Sequence, residues 1–148
     1  MTMNYSHNAA TVDGVEYRVL GCHFDQDMQN SGLFMEILLE SNDKVPSHLY
    51  PFGAGFLFNI AVPPVNLKVN QNLIVIEFDD PDRDSCVTVY TGEHDGLLNV
   101  RASLGKEGDV WKLQMSGEID LFDERKALFI SCDAKCFHGL SFESLPLW

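Results

Sequence analysis

The sequence predicts an all-β fold: one antiparallel β-sandwich or partly open β-barrel ending in a C-terminal meander. Residues 109–121 supply the first observation, because Trp111, Leu113, Met115 and Ile119 alternate with Lys112, Gln114, Ser116, Glu118 and Asp120. A period of two over that length places one face in a core and the other in water. The second observation is the recurrence of short apolar runs joined by hairpin-length polar connectors, with no long amphipathic helix between them. The third is size: 148 residues with 45% hydrophobic content suffice for one domain with its own core.

Residues 1–11 read as a flexible polar tail, and Asp13-Gly14 as a turn. Val15, Tyr17 and Val19 then alternate with Glu16 and Arg18 to open a strand, and the parity change across Leu20, Cys22 and Phe24 marks a bulge at Gly21. Residues 25–32 form a polar loop. Residues 33–40 suit a helix by residue type, yet Leu33, Met35, Ile37 and Leu39 also alternate, and an antiparallel partner in 15–24 favours a strand. An irregular connection over 41–54 leads to a strand lined by Phe56, Phe58, Ile60 and Val62, which stops at Pro63-Pro64. Val65, Leu67 and Val69 form a shorter strand, and Asn70-Gln71-Asn72 a turn. The nearly continuous apolar run Leu73–Phe78 predicts a central strand covered on both faces. Strands over 86–93, 98–104, 109–121 and 126–137 follow, with Asp-Pro-Asp-Arg-Asp-Ser, His-Asp-Gly, Gly-Lys-Glu-Gly and Phe-Asp-Glu-Arg as connectors.

Ten Lys and Arg against twenty-two Asp and Glu give a formal charge of −12. Residues 1–74 carry seven acids and three bases, and residues 75–148 carry fifteen and seven, so the surplus sits mainly in the meander. Followed strand by strand, Asp79, Asp80, Asp82, Asp84, Glu107 and Asp109 should gather at one end. Glu93, Asp95, Glu118, Asp120, Asp123 and Glu124 should gather at the other. Such a field repels nucleic acid and anionic lipid and speeds encounter with a basic partner. The start of the chain lacks the basic and apolar regions of a secretory signal, and no run reaches membrane-spanning length, so the expected compartment is the cytoplasm.

Cys22, Cys86, Cys132 and Cys136 are expected as reduced core thiols. On one strand, Cys132 and Cys136 lie roughly 13 Å apart, too far for a disulfide or for two sulfurs of one zinc site. Asp80-x-Asp82-x-Asp84 matches the start of a calcium loop, but Ser85 replaces the required Gly and Thr91 the closing Glu. No nucleophile elbow, phosphate loop or dinucleotide glycine pattern occurs, and no cofactor or metal is expected. Phe52, Phe56, Phe58, Trp111 and Trp148 are candidates to line an apolar cavity, with core filling the more ordinary role.

The expected function is therefore that of a non-catalytic, acidic protein that captures and neutralises a basic protein partner. Inhibitors and immunity proteins of secreted nuclease toxins share this small, acidic, compact character. The expected contacts are Glu118, Asp120, Asp123 and Glu124, together with Asp79, Asp80, Asp82 and Asp84. Two other classes compete: a small-molecule-binding β-barrel and an enzyme whose site assembles in space. A deep cavity with convergent polar groups would separate them from the capture reading.

Overall fold

The computed structural model describes residues 7–27, 32–40, 57–70, 72–79, 86–90, 94–95, 97–121 and 124–136. Among these the chain forms strands β1 (Ala9–Val12), β2 (Val15–Asp27), β3 (Gly32–Leu39), β4 (Leu57–Val62), β5 (Leu67–Asn70), β6 (Leu73–Phe78), β7 (Cys86–Tyr90), β8 (His94–Asp95), β9 (Leu97–Glu107), β10 (Val110–Leu121) and β11 (Glu124–Cys136). One 3-10 turn, Pro64–Asn66, separates β4 from β5. The strands make one sheet in the order β5-β6-β9-β10-β11-β1-β2-β3-β4-β7-β8, which curls into a nearly closed barrel with an unsealed seam. The ladders are antiparallel, apart from a two-residue parallel contact that sets Lys135 against His23 and Cys136 against Phe24.

β6 ladders to β9 from Leu73–Gly105 to Phe78–Val100, while β7 ladders to β8, and only Gly96 separates β8 from β9. β4 likewise pairs with β7, and its continuation β5 pairs with β6. Between β4 and β5 the ladder is interrupted by Pro63 and Pro64, since proline cannot donate to a ladder.

Local chemistry sets the hairpins. Asp13 and Gly14 both adopt positive φ, 52° and 77°, between the paired Val12 and Val15, the backbone of a type I′ turn. Gly108, at φ 63°, opens the two-residue turn from β9 to β10. The register of β2 on β3 slips between Val19 and Gly21, the expected bulge, and it leaves Leu20 facing solvent. Residues 33–39 are strand, as the alternation required.

The barrel interior is one apolar core. Phe24, Leu33, Met35, Ile37, Phe58, Ile60, Ile74, Leu104, Leu113 and Ile130 are essentially inaccessible, and Phe24 meets Trp111 edge-on at 5.3 Å. Among the described residues no polar or charged residue is buried. Trp111, Leu113, Met115 and Ile119 point inward as the alternation predicts. On the opposite face Gln114 is exposed, while Lys112 and Glu118 are half-buried.

Several expectations need correction. The tail assigned to 1–11 includes β1 from Ala9 onward, with Ala10 and Val12 buried, because small apolar residues fit between β2 and β11. Residues 25–27 extend β2, and His94-Asp95 form β8 where a connector was expected. The connector placed at 105–108 shrinks to Gly108-Asp109, since β9 runs to Glu107. Val65 lies in the 3-10 turn and is 82% exposed. β6 buries one face only: Ile74, Ile76 and Phe78 point inward, while Leu73 and Val75 are half-exposed and Glu77 is exposed.

Candidate functional site

The ladders decide which acids share an end of the barrel. Phe78 pairs with Val100, and one residue further the Asn99 N–H donates to the Asp79 carbonyl at 2.9 Å. Asp79 thus lies beside Asn99, at the opposite end of β9 from Glu107 and Asp109. The expected grouping of Asp79 with those two residues fails because β6 takes β9 as its partner, a pairing that chain order does not reveal. β9 then sets Leu98 against Glu118, and β10 sets Asp120 against Arg125 and Leu121 against Glu124. Asp13 joins this rim through its N–H, which donates to the Ala127 carbonyl at 2.9 Å. The rim therefore gathers Asp13, Asp79, Glu118, Asp120 and Glu124. Asp80, Asp82, Asp84 and Asp123 lie outside the described residues.

Three bases thread through these acids. Arg101 Nη2 donates to Asp79 Oδ1 at 2.7 Å, Arg125 Nε lies 3.9 Å from Asp120 Oδ1, and Lys126 Nζ sits 2.8 Å from Glu124 and 3.4 Å from Asp13. Glu118 accepts instead from the neutral Asn99 Nδ2 at 2.7 Å. Five carboxylates against three cations leave a negative surplus, and with Asp79 73% and Glu124 71% exposed it faces water. The carboxylates in turn hold two bases in the charged form: Asp79 raises the Arg101 pKa, and Glu124, then Asp13, raise that of Lys126.

An irregular backbone shapes this rim. The β9–β10 register shifts between Ser116 and Glu118, Asn99 adopts φ 52°, and a side chain at Gly117 would meet the Leu98 carbonyl oxygen at 3.1 Å. The bulge turns Asn99 outward onto Glu118. Polar side chains fasten the neighbouring seam: Arg101 Nη1 donates to the carbonyls of Val100 and Phe78 at 2.8 and 3.1 Å, and Asn66 Nδ2 donates to that of Glu77 at 3.0 Å. Arg101, Asn99 and Asn66 had no place among the sequence candidates. A signal existed for Asn99, because inward parity switches between Leu97 and Val100, as it does at Gly21. The roles of Arg101 and Asn66 depend on which strands pair, which residue type alone does not encode.

Below the rim, on the outer face of β6, β9, β10 and β11, lies an open trough of about 300 Å³ lined by Val75, Glu77, Arg101, Ser103, Gln114, Ser116 and Phe129. On the same outer face, His7 Nε2 and Lys112 Nζ both reach Asp133 Oδ1, at 2.6 and 2.5 Å, and the Asp133 N–H donates to Asn8 Oδ1 at 2.9 Å. Lys112 first, and His7 second, hold the Asp133 carboxyl below its usual pKa. This cluster pins the entry to β1 against β10 and β11.

Inside the barrel, the neighbouring Cys132 thiol, together with burial, pushes the Cys22 thiol far up. Cys22, Cys132 and Cys136 form no disulfide. Phe58 and Trp111 fill the core, whereas Phe52, Phe56 and Trp148 fall outside the described residues. Among the described residues no group of three or more His, Cys, Asp or Glu side chains is placed to hold a metal, and no helix is long and apolar enough to cross a membrane. No protein-family model, curated protein or solved structure matches the chain.

Proposed function

We propose that this protein is an acidic, non-catalytic capture protein that neutralises a basic protein partner, in the manner of an immunity or inhibitor protein acting on a nuclease-like toxin. The observation that carries the reading is the rim, where exposed and half-buried carboxylates from β10, β11, the end of β6 and the β1–β2 turn outnumber Arg101, Arg125 and Lys126. They stand on paired strands, so their spacing is fixed before a partner arrives, and little ordering cost attends binding. A nuclease must be basic to hold phosphate, and a preset array of carboxylates presents a matching negative surface. On the outer face, Lys112 and His7 displace the Asp133 carboxyl downward, towards the ionised form that a salt bridge needs and away from a general acid.

The test is a pull-down from native extract, followed by association and dissociation rates against salt for wild type and for Asp120→Lys with Glu124→Lys. Circular dichroism and thermal melts verify that the variant is folded. Capture of a basic protein whose association slows with salt, and slows again in the variant while dissociation changes little, is the expected result. Recovery of no basic partner, or binding indifferent to the reversal, would overturn the reading.

A further inference from the structure

We propose that the outer trough beneath the rim is a binding site for a neutral polyhydroxylated ring, a pyranose sugar. Its lining falls into two cross-strand rows: Glu77, Arg101, Ser116 and Phe129 in one, and Val75, Ser103 and Gln114 in the other. Adjacent strands lie about 4.8 Å apart, and residues two apart along a strand about 7 Å. Ser103, Gln114, Arg101 and Ser116 therefore mark the corners of a frame matching one six-membered ring with its hydroxyl groups. Serine at two corners leaves the floor low, and the larger flanking side chains make walls, which accounts for a depression on the convex side of a barrel.

Each wall specifies a property of the ligand. Arg101 is held by Asp79 and by two backbone carbonyls, and Glu77 stands beside it across the β6–β9 ladder, so no positive charge is left over to draw an anionic guest. Glu77 and Gln114 are planar groups that can engage two vicinal hydroxyls at once, and the serines both donate and accept. A ligand with donors and acceptors on every carbon satisfies this set, whereas a phosphate or a long alkyl chain does not. Phe129 on β11 and Val75 on β6 give the trough apolar sides, suited to the C–H face of a sugar. Because Arg101 also fastens the seam, the site rests on a fixed part of the barrel and needs no closing segment.

The experiment is a titration of the 15N-labelled full chain with methyl glucoside, methyl galactoside and methyl mannoside, each beside its free sugar, with inositol as a non-pyranose polyol. The expected result is saturable amide shifts confined to Glu77, Arg101, Ser103, Gln114, Ser116 and Phe129, with a Kd of the order of 1 mM, as suits a shallow polar site. Ser116→Leu fills the floor at an exposed position and should abolish the shifts with the fold intact. Phe129→Leu should weaken binding about 5- to 10-fold, the loss of an aromatic contact. Methyl glycosides that bind as well as free sugars identify the end ring of a glycan, and a preference for the free sugar identifies a soluble ligand. No saturable shift with any pyranose, an equal response to inositol, or shifts that survive Ser116→Leu would overturn the assignment.

Discussion

Leu113→Ala tests the inner face of β10 and, with it, the register on which every other placement depends. Leu113 is wholly inaccessible and sits between Leu104 on β9 and Cys132 on β11. Removing its three terminal carbons forfeits about 2 to 2.5 kcal/mol of transfer free energy at about 0.8 kcal/mol per methylene. A residual cavity of some tens of Å³ adds about 1 kcal/mol at ~24 cal/mol per Å³, giving a loss near 3 to 3.5 kcal/mol. For 148 residues, an unfolding entropy of about 2.1 cal/mol/K per residue makes that a fall in Tm of about 10 °C. Urea unfolding should show a lower midpoint with an unchanged slope, since the same surface is exposed. Gln114→Ala, one residue along and facing out, should stay within about 0.5 kcal/mol of wild type. A one-residue slip of register would exchange the two results, and equal costs at both positions would refute the inner face.

Four further outcomes follow from particular contacts. Gly32→Ala should destabilise by about 1 to 3 kcal/mol or more, because the new Cβ would lie 2.0 Å from the Val62 carbonyl oxygen, which is backbone and cannot swing aside; an unchanged melting curve would show that the β3–β4 edge lies elsewhere. In the native protein Cys136 should alkylate well before Cys22 or Cys132, as read by mass spectrometry. Stability should hold up to about pH 9.0 and fall above it: the unfolded Cys22 thiol ionises there while the folded one keeps its proton, so the unfolded state binds fewer protons. Cys22→Ala should lessen that fall. Asp133 has the opposite sign: its depressed pKa contributes stability that is present above the unfolded value of about 3.8 and lost as pH falls through the folded one. The carboxylate is 45% exposed and therefore screened, so Asp133→Asn should cost less than about 1 kcal/mol, and salt should shrink the difference further.

What the sequence revealed divides along a physical line. Features set within a few residues were legible: the alternation at Trp111–Met115, the Asp13-Gly14 turn, the bulge at Gly21, the stop at Pro63 and the strand character of Leu33–Leu39. Features set by which strand lies beside which were not. Leu73–Phe78 read as doubly covered because its residues are apolar, yet one face looks outward onto the trough. β1 was hidden because Ala9-Ala10-Thr11-Val12 is too short and small to announce itself, and only the gap between β2 and β11 gives it a place. Asp79 was assigned to the wrong rim for the same reason, because its position follows from the β6–β9 pairing. Glu118, Asp120 and Glu124 do share an end, since two consecutive hairpins carry them, whereas Glu93 and Asp123 of the same expected group lie outside the described residues.

The placement of β1 also orders events during synthesis. Its hairpin with β2 can form as soon as both leave the ribosome, but its other neighbour is β11, with Ala9 set against Ser131 and Val12 against Leu128. At about 5 to 20 residues per second, the first strand waits roughly 6 to 24 s for that partner to be translated. Throughout that interval the nascent hairpin carries an open β edge, of the kind that pairs with neighbouring chains. Among the described strands, the last one made covers the first. Truncation before Glu124 should therefore leave a sticky fragment, and slowed translation of the codons for β11 should lower the soluble yield more than slowing elsewhere.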